Sequence, residues 1–216
     1  MSDSRTRASY HHGSLRETLV RASLELIRAE GIGAVSLRRV AREAGVSPGA
    51  PYHHFPDRAA LLTAIAGEGF GMLEERLVGA RAAAASPAAA LTAMTEAYVR
   101  FAHEQPAYFH LMFRPELARP DKDAAAKQAA ERSFQVLCDV VADCQLAGDV
   151  PAGDPGALVT ALWALAHGLA SLWVDGPLDG RATPLAGSTE ALVTQIAQGV
   201  ATVLAGAARA GVRLGP

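Results

Sequence analysis

The residues best equipped for acid–base or metal chemistry are histidines. Four of the seven stand in two copies of one tripeptide, Tyr10-His11-His12 and Tyr52-His53-His54; the others are His103, His110 and His167. Imidazole ligates metals as the neutral ring and exchanges protons near neutrality. Three readings therefore compete: a metal site split across the chain, an internal repeat, or one tripeptide put to two uses. The flanks Ser9 and Gly13 do not match Pro51 and Phe55, which removes the repeat. No HExxH, GxSxG or glycine-rich phosphate loop accompanies the histidines. Asp57, close to His54, reads as the cap of the next helix rather than as a catalytic carboxylate. Cys138 and Cys144 project from different faces of one helical stretch, which makes a poor disulfide, and they lack zinc spacing. The sequence thus predicts no catalytic residue, no metal and no cofactor. Two readings stay open here: a structural or protein-binding helical module and, least favoured, an enzyme.

The elements that must position these residues are helical. Half of the 216 residues are apolar and 19% are charged, as in folded chains. Alanine is abundant and strand formers are scarce, which predicts an all-α fold. Residues 1–9 read as a flexible basic arm carrying Arg5 and Arg7. Ser14-Leu15-Arg16-Glu17 reads as a capping box, with Leu15, Leu19, Ala22 and Leu26 at helical spacing after it and Gly31 as the stop. Ser36 caps a second helix, Leu37 to Ala44, ended by Gly45. Ser47-Pro48 opens a third as N-cap and first turn, running to His54. A helix–glycine turn–helix is the result. Beyond it the spacing predicts helices over 58–84, 87–104, 108–113, 121–147, 155–175 and 188–209, about nine in all. Residues 176–187, rich in Gly and Pro, read as a mobile loop. The expected organisation is an arm (1–9), a helix-turn-helix domain (10–57) and a larger helical domain (58–216).

Charge separates the two domains. Residues 1–65 carry nine Arg against six Asp and Glu, while the remainder is acidic. A basic end on an acidic body points to a polyanionic partner. Ser36, Arg38, Arg39, Ser47, Tyr52, His53, His54 and Arg58 cluster there as candidate phosphate donors, and phosphate contacts are what position a protein on a duplex.

These residues carry a resemblance. Tyr10-His11-His12-Gly13, Glu30-Gly31, Val40-Ala41-Arg42-Glu43-Ala44-Gly45-Val46-Ser47 and Tyr52-His53-His54-Phe55 with Arg58, Leu61 and Leu62 together resemble the N-terminal domain of TetR-family transcriptional regulators. The resemblance implies a recognition helix at 47–54 in the major groove of double-stranded DNA, including Ser47, Pro48, Gly49 and Ala50. It implies backbone contacts by Tyr52 and His54, and places Arg58 where the family usually has a phosphate-binding lysine. Pro51 departs from the family's aliphatic residue and should disturb the helix. Because Pro48, Gly49 and Ala50 offer no side-chain hydrogen bond to a base, Arg38, Arg39, the arm or DNA deformability is expected to share in specificity.

The stretch Leu162-Trp163-Ala164-Leu165-Ala166-His167-Gly168, with Gln105 to Phe113 before it, resembles the C-terminal domain of the subgroup named for its Trp, His and Gly, over about 85–205. Trp163 and His167 share a helix face. With Tyr98, Phe101, Tyr108, Phe109, Phe113 and Phe134 they are candidates for an apolar pocket holding an unknown small-molecule effector; each has a plain core reading as well. By resemblance, effector binding shifts the long helix beginning near Arg58, changes the separation of the recognition helices and lowers DNA affinity.

Residues 156–174 contain no charge, and 191–208 are likewise uncharged. His167, internal glycines and flanking acids argue against a membrane span. A helix uncharged all round wants burial on every side, which a second copy supplies. Ala157, Ala161, Ala164, Gly168, Ala191, Gly199 and Ala201 are therefore the expected homodimer interface, matching a pseudo-palindromic operator. The thiols and the polar N-terminus suggest the cytoplasm.

Overall fold

The computed structural model describes the backbone of residues 5–114, 116–119 and 123–215, with side chains from residue 15 onward. Among the described residues it contains α1 (Arg5–Glu30), the 3-10 turn η1 (Ile32–Ala34), α2 (Leu37–Glu43), the 3-10 turn η2 (Ala50–His53), α3 (Arg58–Ala83), α4 (Pro87–Glu104), α5 (Pro106–Met112), α6 (Ala124–Ala147), β1 (Ala152–Gly153), α7 (Gly156–Val174), α8 (Asp179–Ala186), α9 (Thr189–Arg209) and β2 (Arg213–Leu214). The fold is all-α, with one short parallel pairing of β1 with β2.

Two compact units divide the chain. The first comprises residues up to Gly69 together with Ala107–Lys127; the second comprises Phe70–Pro106 and Gln128 onward. This differs from the expected boundary at 57/58, and the core of the first unit explains why. Leu19 of α1, Val40 and Ala41 of α2, and Leu61, Leu62 and Ile65 of α3 are all fully buried, so the first turns of α3 complete the helix-turn-helix core. α5 and the start of α6 join them, each through one notch. A Cβ on Gly69 would sit 2.7 Å from Met112 Sδ, and one on Gly67 would sit 3.0 Å from Ala126 Cβ. Thr63 locks the following loop, since its hydroxyl donates to Ala59 O at 2.7 Å and accepts the Arg119 N–H at 2.9 Å.

In the second unit α4 packs on α7 and α9, and α8 packs on α9. Phe101, Val99, Val140, Val141 and Ala170 are fully buried. Ion pairs flank this core: Arg132 with Glu74, Arg76 with Glu104, and Arg81 with Asp139 and Asp143.

Several local expectations hold. Ser36 and Asp57 each accept an amide of the first turn that follows, satisfying an orphan donor; Ser86 and Ser188 do the same for α4 and α9. Gly31 and Gly45 take the left-handed backbone that stops α1 and α2, which glycine adopts without steric cost. The helix count is also near expectation, but its membership changes. Residues 48–54 form no α-helix, whereas the supposed loop 176–187 contains α8. Leu178 and Ala182 are buried one turn apart, and Thr189 Oγ1 bonds Asp179 Oδ1 at 2.6 Å, so packing overrides the Gly/Pro composition. The N-terminus is the third correction. α1 is already helical from Arg5, so Ser14 lies inside it and opens no capping box, and the expected arm shortens. Nothing before Gly13 breaks a helix. Residues 1–4 and the side chains of Tyr10, His11 and His12 lie outside the described residues.

Two glycines predict opposite effects. Gly153 has φ 126°, and a Cβ there would stand 2.2 Å from Leu214 O; Gly153→Ala should cost about 1–3 kcal/mol. Gly71 lies within α3 with nothing within 4 Å of a Cβ; Gly71→Ala should add about 0.5–1 kcal/mol. Urea unfolding of the two variants checks both signs.

Candidate nucleic-acid interface and ligand site

The candidate reading surface begins at Ser36, whose Oγ accepts the Arg39 N–H at 3.3 Å. That cap starts α2 with Leu37, Val40 and Ala41 turned into the core. At its end Gly45 has φ 68°, and Val46 N–H returns to Ala41 O at 2.9 Å, closing the turn as a helix-ending motif. The chain then passes the exposed Ser47, Pro48 and Gly49 into η2. There Ala50 N–H bonds Ser47 O at 3.0 Å, Tyr52 N–H bonds Gly49 O at 3.2 Å and His54 N–H bonds Pro51 O at 3.0 Å.

The expected recognition helix is thus a single 3-10 turn after a bend. Pro51 supplies the reason. It has no N–H to give the Ser47 carbonyl, so the α-helical bond cannot form, and three-residue bonds take over. Its ring remains fully buried, filling the place of the aliphatic residue it replaces. The solvent edge consists of Ser47, Pro48, Gly49, Tyr52 and His53, with Ala50 and His54 half-buried.

An open cleft of about 280 Å³ runs between the starts of α2 and α3, lined by Ser36, Leu37, Arg38, Tyr52, Pro56, Asp57 and Arg58. Four of the residues expected to meet DNA therefore share one recess. The cations divide. Arg38 is exposed and holds no ion pair among the described residues. Arg39 is drawn back by an ion pair with Glu30. Arg58 Nε–H donates to Val35 O at 2.8 Å and its Nη2–H donates to Ile32 O at 2.9 Å. Arg42, not singled out from the sequence, is exposed one turn after Arg38; the i,i+4 spacing was the available signal. Behind this face, Arg16 bonds Glu68 at 2.8 Å and lies 5.7 Å from the centre of the buried Phe55 ring.

In the second unit, four of the eight expected ligand-site residues converge. Tyr98 Oη of α4 meets His167 Nδ1 of α7 at 2.9 Å. Trp163 and His167 have ring centres 6.2 Å apart, and Phe134 of α6 meets Trp163 edge to face at 5.8 Å. Phe134 and Trp163 remain partly exposed, at 40% and 38%. Burial pushes the Tyr98 hydroxyl pKa far up, against an opposing hydrogen bond with Trp163. Burial also lowers the His167 pKa. Both groups are therefore neutral at pH 7.

The other four do not join this cluster by any described contact. Phe101 is fully buried on α4, with the Arg76 guanidinium 5.9 Å from its ring centre. Tyr108, Phe109 and Phe113 belong to the first unit. Phe109 and Phe113 pack edge to face at 5.5 Å, and Tyr108 lies against Gly69 with its pKa raised by burial. Their core reading accounts for them. A pairing invisible in the sequence is His103 stacked on the buried Trp173, with centres 4.1 Å apart and planes 13° apart; sixty-nine intervening residues hid it. Among the described residues, no three His, Cys, Asp or Glu side chains gather as metal ligands would. The Cys144 thiol is buried and its pKa is pushed up to about 11, so it is inert.

Of the expected interface residues, Ala157, Ala161, Ala164 and Gly199 are exposed, and Gly168, Ala191 and Ala201 half-exposed. Leu172 and Val203 are exposed at 48% and 70%. Among the described residues α7 and α9 are long and apolar enough to cross a membrane, with mean hydropathy 1.6 and 1.5.

The lowered His167 pKa fixes a sign. The neutral ring's contribution to stability is complete above about pH 6.5, the unfolded value, and is lost as pH falls below it. The advantage of wild type over His167→Gln in thermal unfolding should therefore shrink in acid. A constant offset down to about pH 5 would contradict the assignment.

A family model described as "Bacterial regulatory proteins, tetR family" matches residues 19–65. A second, "Tetracyclin repressor-like, C-terminal domain", matches residues 91–212, more than half of the chain. Among solved structures, a protein of unknown function from Rhodococcus sp. RHA1 is 35% identical, with TM-score 0.78 over 91% of this chain and 98% of the other. The TetR-family transcriptional regulator PfmR from Thermus thermophilus shares the fold at 20% identity, TM-score 0.65, over 86% of this chain and 96% of its own. A putative transcriptional regulator from Pseudomonas aeruginosa PAO1 does so at 22% identity, TM-score 0.69, over 91% and 93%. The chain therefore belongs to the TetR family, and is a DNA-binding transcriptional regulator rather than an enzyme.

Proposed function

We propose that the protein is a cytoplasmic, homodimeric repressor that leaves a pseudo-palindromic operator when a small apolar or aromatic molecule binds its second unit. The observation that carries the operator reading is the cleft that gathers Ser36, Arg38, Tyr52 and Arg58 beside the exposed Ser47–Gly49 edge. Phosphate oxygens suit its Arg38 side, and the exposed Arg42 follows one turn along α2. The sparse side chains of the edge suit contacts with thymine methyls and readout of DNA shape.

The uncharged outer faces of α7 and α9 support dimerisation. Their inner faces rest on α4, while Leu172 and Val203 stay exposed. A second copy would cover them with the small residues that permit close helix approach, and would set two reading heads about 34 Å apart or a multiple of that. The likeness of Leu162–Leu172 to the Trp-His-Gly subgroup supports the effector site at Tyr98, Phe134, Trp163 and His167. Coupling would pass along α3, which crosses from the first unit to the second between Gly69 and Phe70. Three glycines alternate there, Gly67, Gly69 and Gly71, and glycine weakens a helix interior.

Footprinting of genomic DNA with the purified protein should return discrete two-fold sites. Leu172→Glu combined with Val203→Glu should give monomers in detergent-free sedimentation and weaken operator binding by about tenfold or more. A protein that protects no site at moderate salt, yet still dimerises, would be the interaction module instead. A ligand that binds tightly and leaves operator affinity unchanged would sink the release mechanism.

A further inference from the structure

Arg58 opens α3, one residue after the Asp57 cap whose Oδ1 accepts the Ala60 N–H at 2.8 Å. A cation is poorly placed there, because the positive end of the helix dipole opposes it. Its guanidinium, however, grips backbone. Nε–H reaches Val35 O at 2.8 Å and Nη2–H reaches Ile32 O at 2.9 Å. The Ile32 carbonyl is also the acceptor of the Val35 N–H, at 3.2 Å, that closes η1. That turn buries none of its own residues, and no side chain caps it. What holds it is its packing on α1, the buried Val35 after it, at 2% exposure, and the Arg58 grip. Ser36, the cap of α2, follows directly.

We propose that Arg58 is a positioning residue for DNA reading: by clamping both carbonyls it sets the launch of α2, and so holds the Ser36–Arg38 edge in place across the cleft from Tyr52. This rests on the chain's being a DNA-binding regulator. The role differs from that of a phosphate ligand. A phosphate needs one cation, which lysine supplies. The clamp needs two donors held apart on one rigid plane, which lysine lacks. Arginine at this position therefore follows from the carbonyls it meets, and two of its five N–H donors are committed before DNA arrives.

Full-length Arg58→Lys and Arg58→Met separate the two roles. Each is titrated across a salt series with a duplex protected by the wild type and with a scrambled duplex of the same composition. Amide exchange of Ala34, Val35 and Arg39 is followed in parallel. The clamp predicts that both variants lose about tenfold or more on the protected duplex and far less on the scrambled one. It predicts an unchanged salt slope and faster exchange at Ala34 and Val35. Wild-type affinity and discrimination in Arg58→Lys would overturn it. So would an equal loss on both duplexes in Arg58→Met with a salt slope lower by about one, the mark of a lost phosphate contact. Global unfolding of both variants, seen by circular dichroism, would make Arg58 a core residue and overturn it as well. If the wild type protects no duplex, the operator reading fails, and amide exchange in Arg58→Lys still decides the clamp.

Discussion

The first turns of α3 have to satisfy two neighbours at once. On one side Leu61, Leu62 and Ile65 close the helix-turn-helix core, all at 0% exposure; fully burying such a side chain stabilises by about 1.5–3 kcal/mol. On the other, Gly67 and Gly69 give up their side-chain space to Ala126 and Met112, and Thr63 spends both halves of its hydroxyl on Ala59 O and Arg119 N–H. The segment 107–127 is consequently part of the DNA-binding unit, although α4 and nearly all of α6, which flank it in sequence, belong to the second.

The same economy governs the reading surface. A reading helix ordinarily offers several side chains to base edges; here one 3-10 turn follows the exposed Ser47, Pro48 and Gly49. Pro51 causes the shortening and also fills the core beneath it. With so few hydrogen-bonding groups at the edge, the proposed discrimination would depend on where the backbone is held more than on which side chains it bears. That places weight on the elements supporting the edge: the Ser36 cap, the Gly45 turn and the η1 turn before α2. It also explains why charge count alone misleads. Arg39 and Arg58 are committed to Glu30 and to backbone carbonyls, leaving Arg38 and Arg42 as the exposed pair on α2.

What the sequence discloses here is what local rules decide. Caps at Ser36 and Asp57, and stops at Gly31 and Gly45, depend on a residue and its neighbours a turn away, and these are placed correctly. Errors arise where a distant partner outweighs local composition. α8 forms in a Gly/Pro-rich stretch because Leu178 and Ala182 find burial. Residues 48–54 fail as an α-helix because one missing N–H counts for more than a good N-cap and first-turn proline. The candidate ligand cluster is half legible: Trp163 and His167 share a face by spacing, but their meeting with Tyr98 and Phe134 joins three helices. Tyr108, Phe109 and Phe113 carry both a pocket and a core reading, because aromatic residues in a core and in a pocket have the same composition.

The cluster and the helix that carries it also constrain each other. α7 has no charge on any face, so its outward side is apolar whether or not it lies in an interface, and its one ionisable side chain, His167, is kept neutral by burial. Its partner Tyr98 is likewise held neutral. A charged ligand entering among Tyr98, Phe134, Trp163 and His167 would lose hydration and meet no opposite charge from these four side chains, at a cost of several kcal/mol. A neutral molecule with an aromatic face and one hydrogen-bonding group meets no such penalty. It could take up a polar contact at the Tyr98–His167 pair while stacking against exposed indole and phenyl surface. The neutrality that would let α7 present an apolar face to a second copy is thus the same property that would favour an uncharged effector in the proposed site.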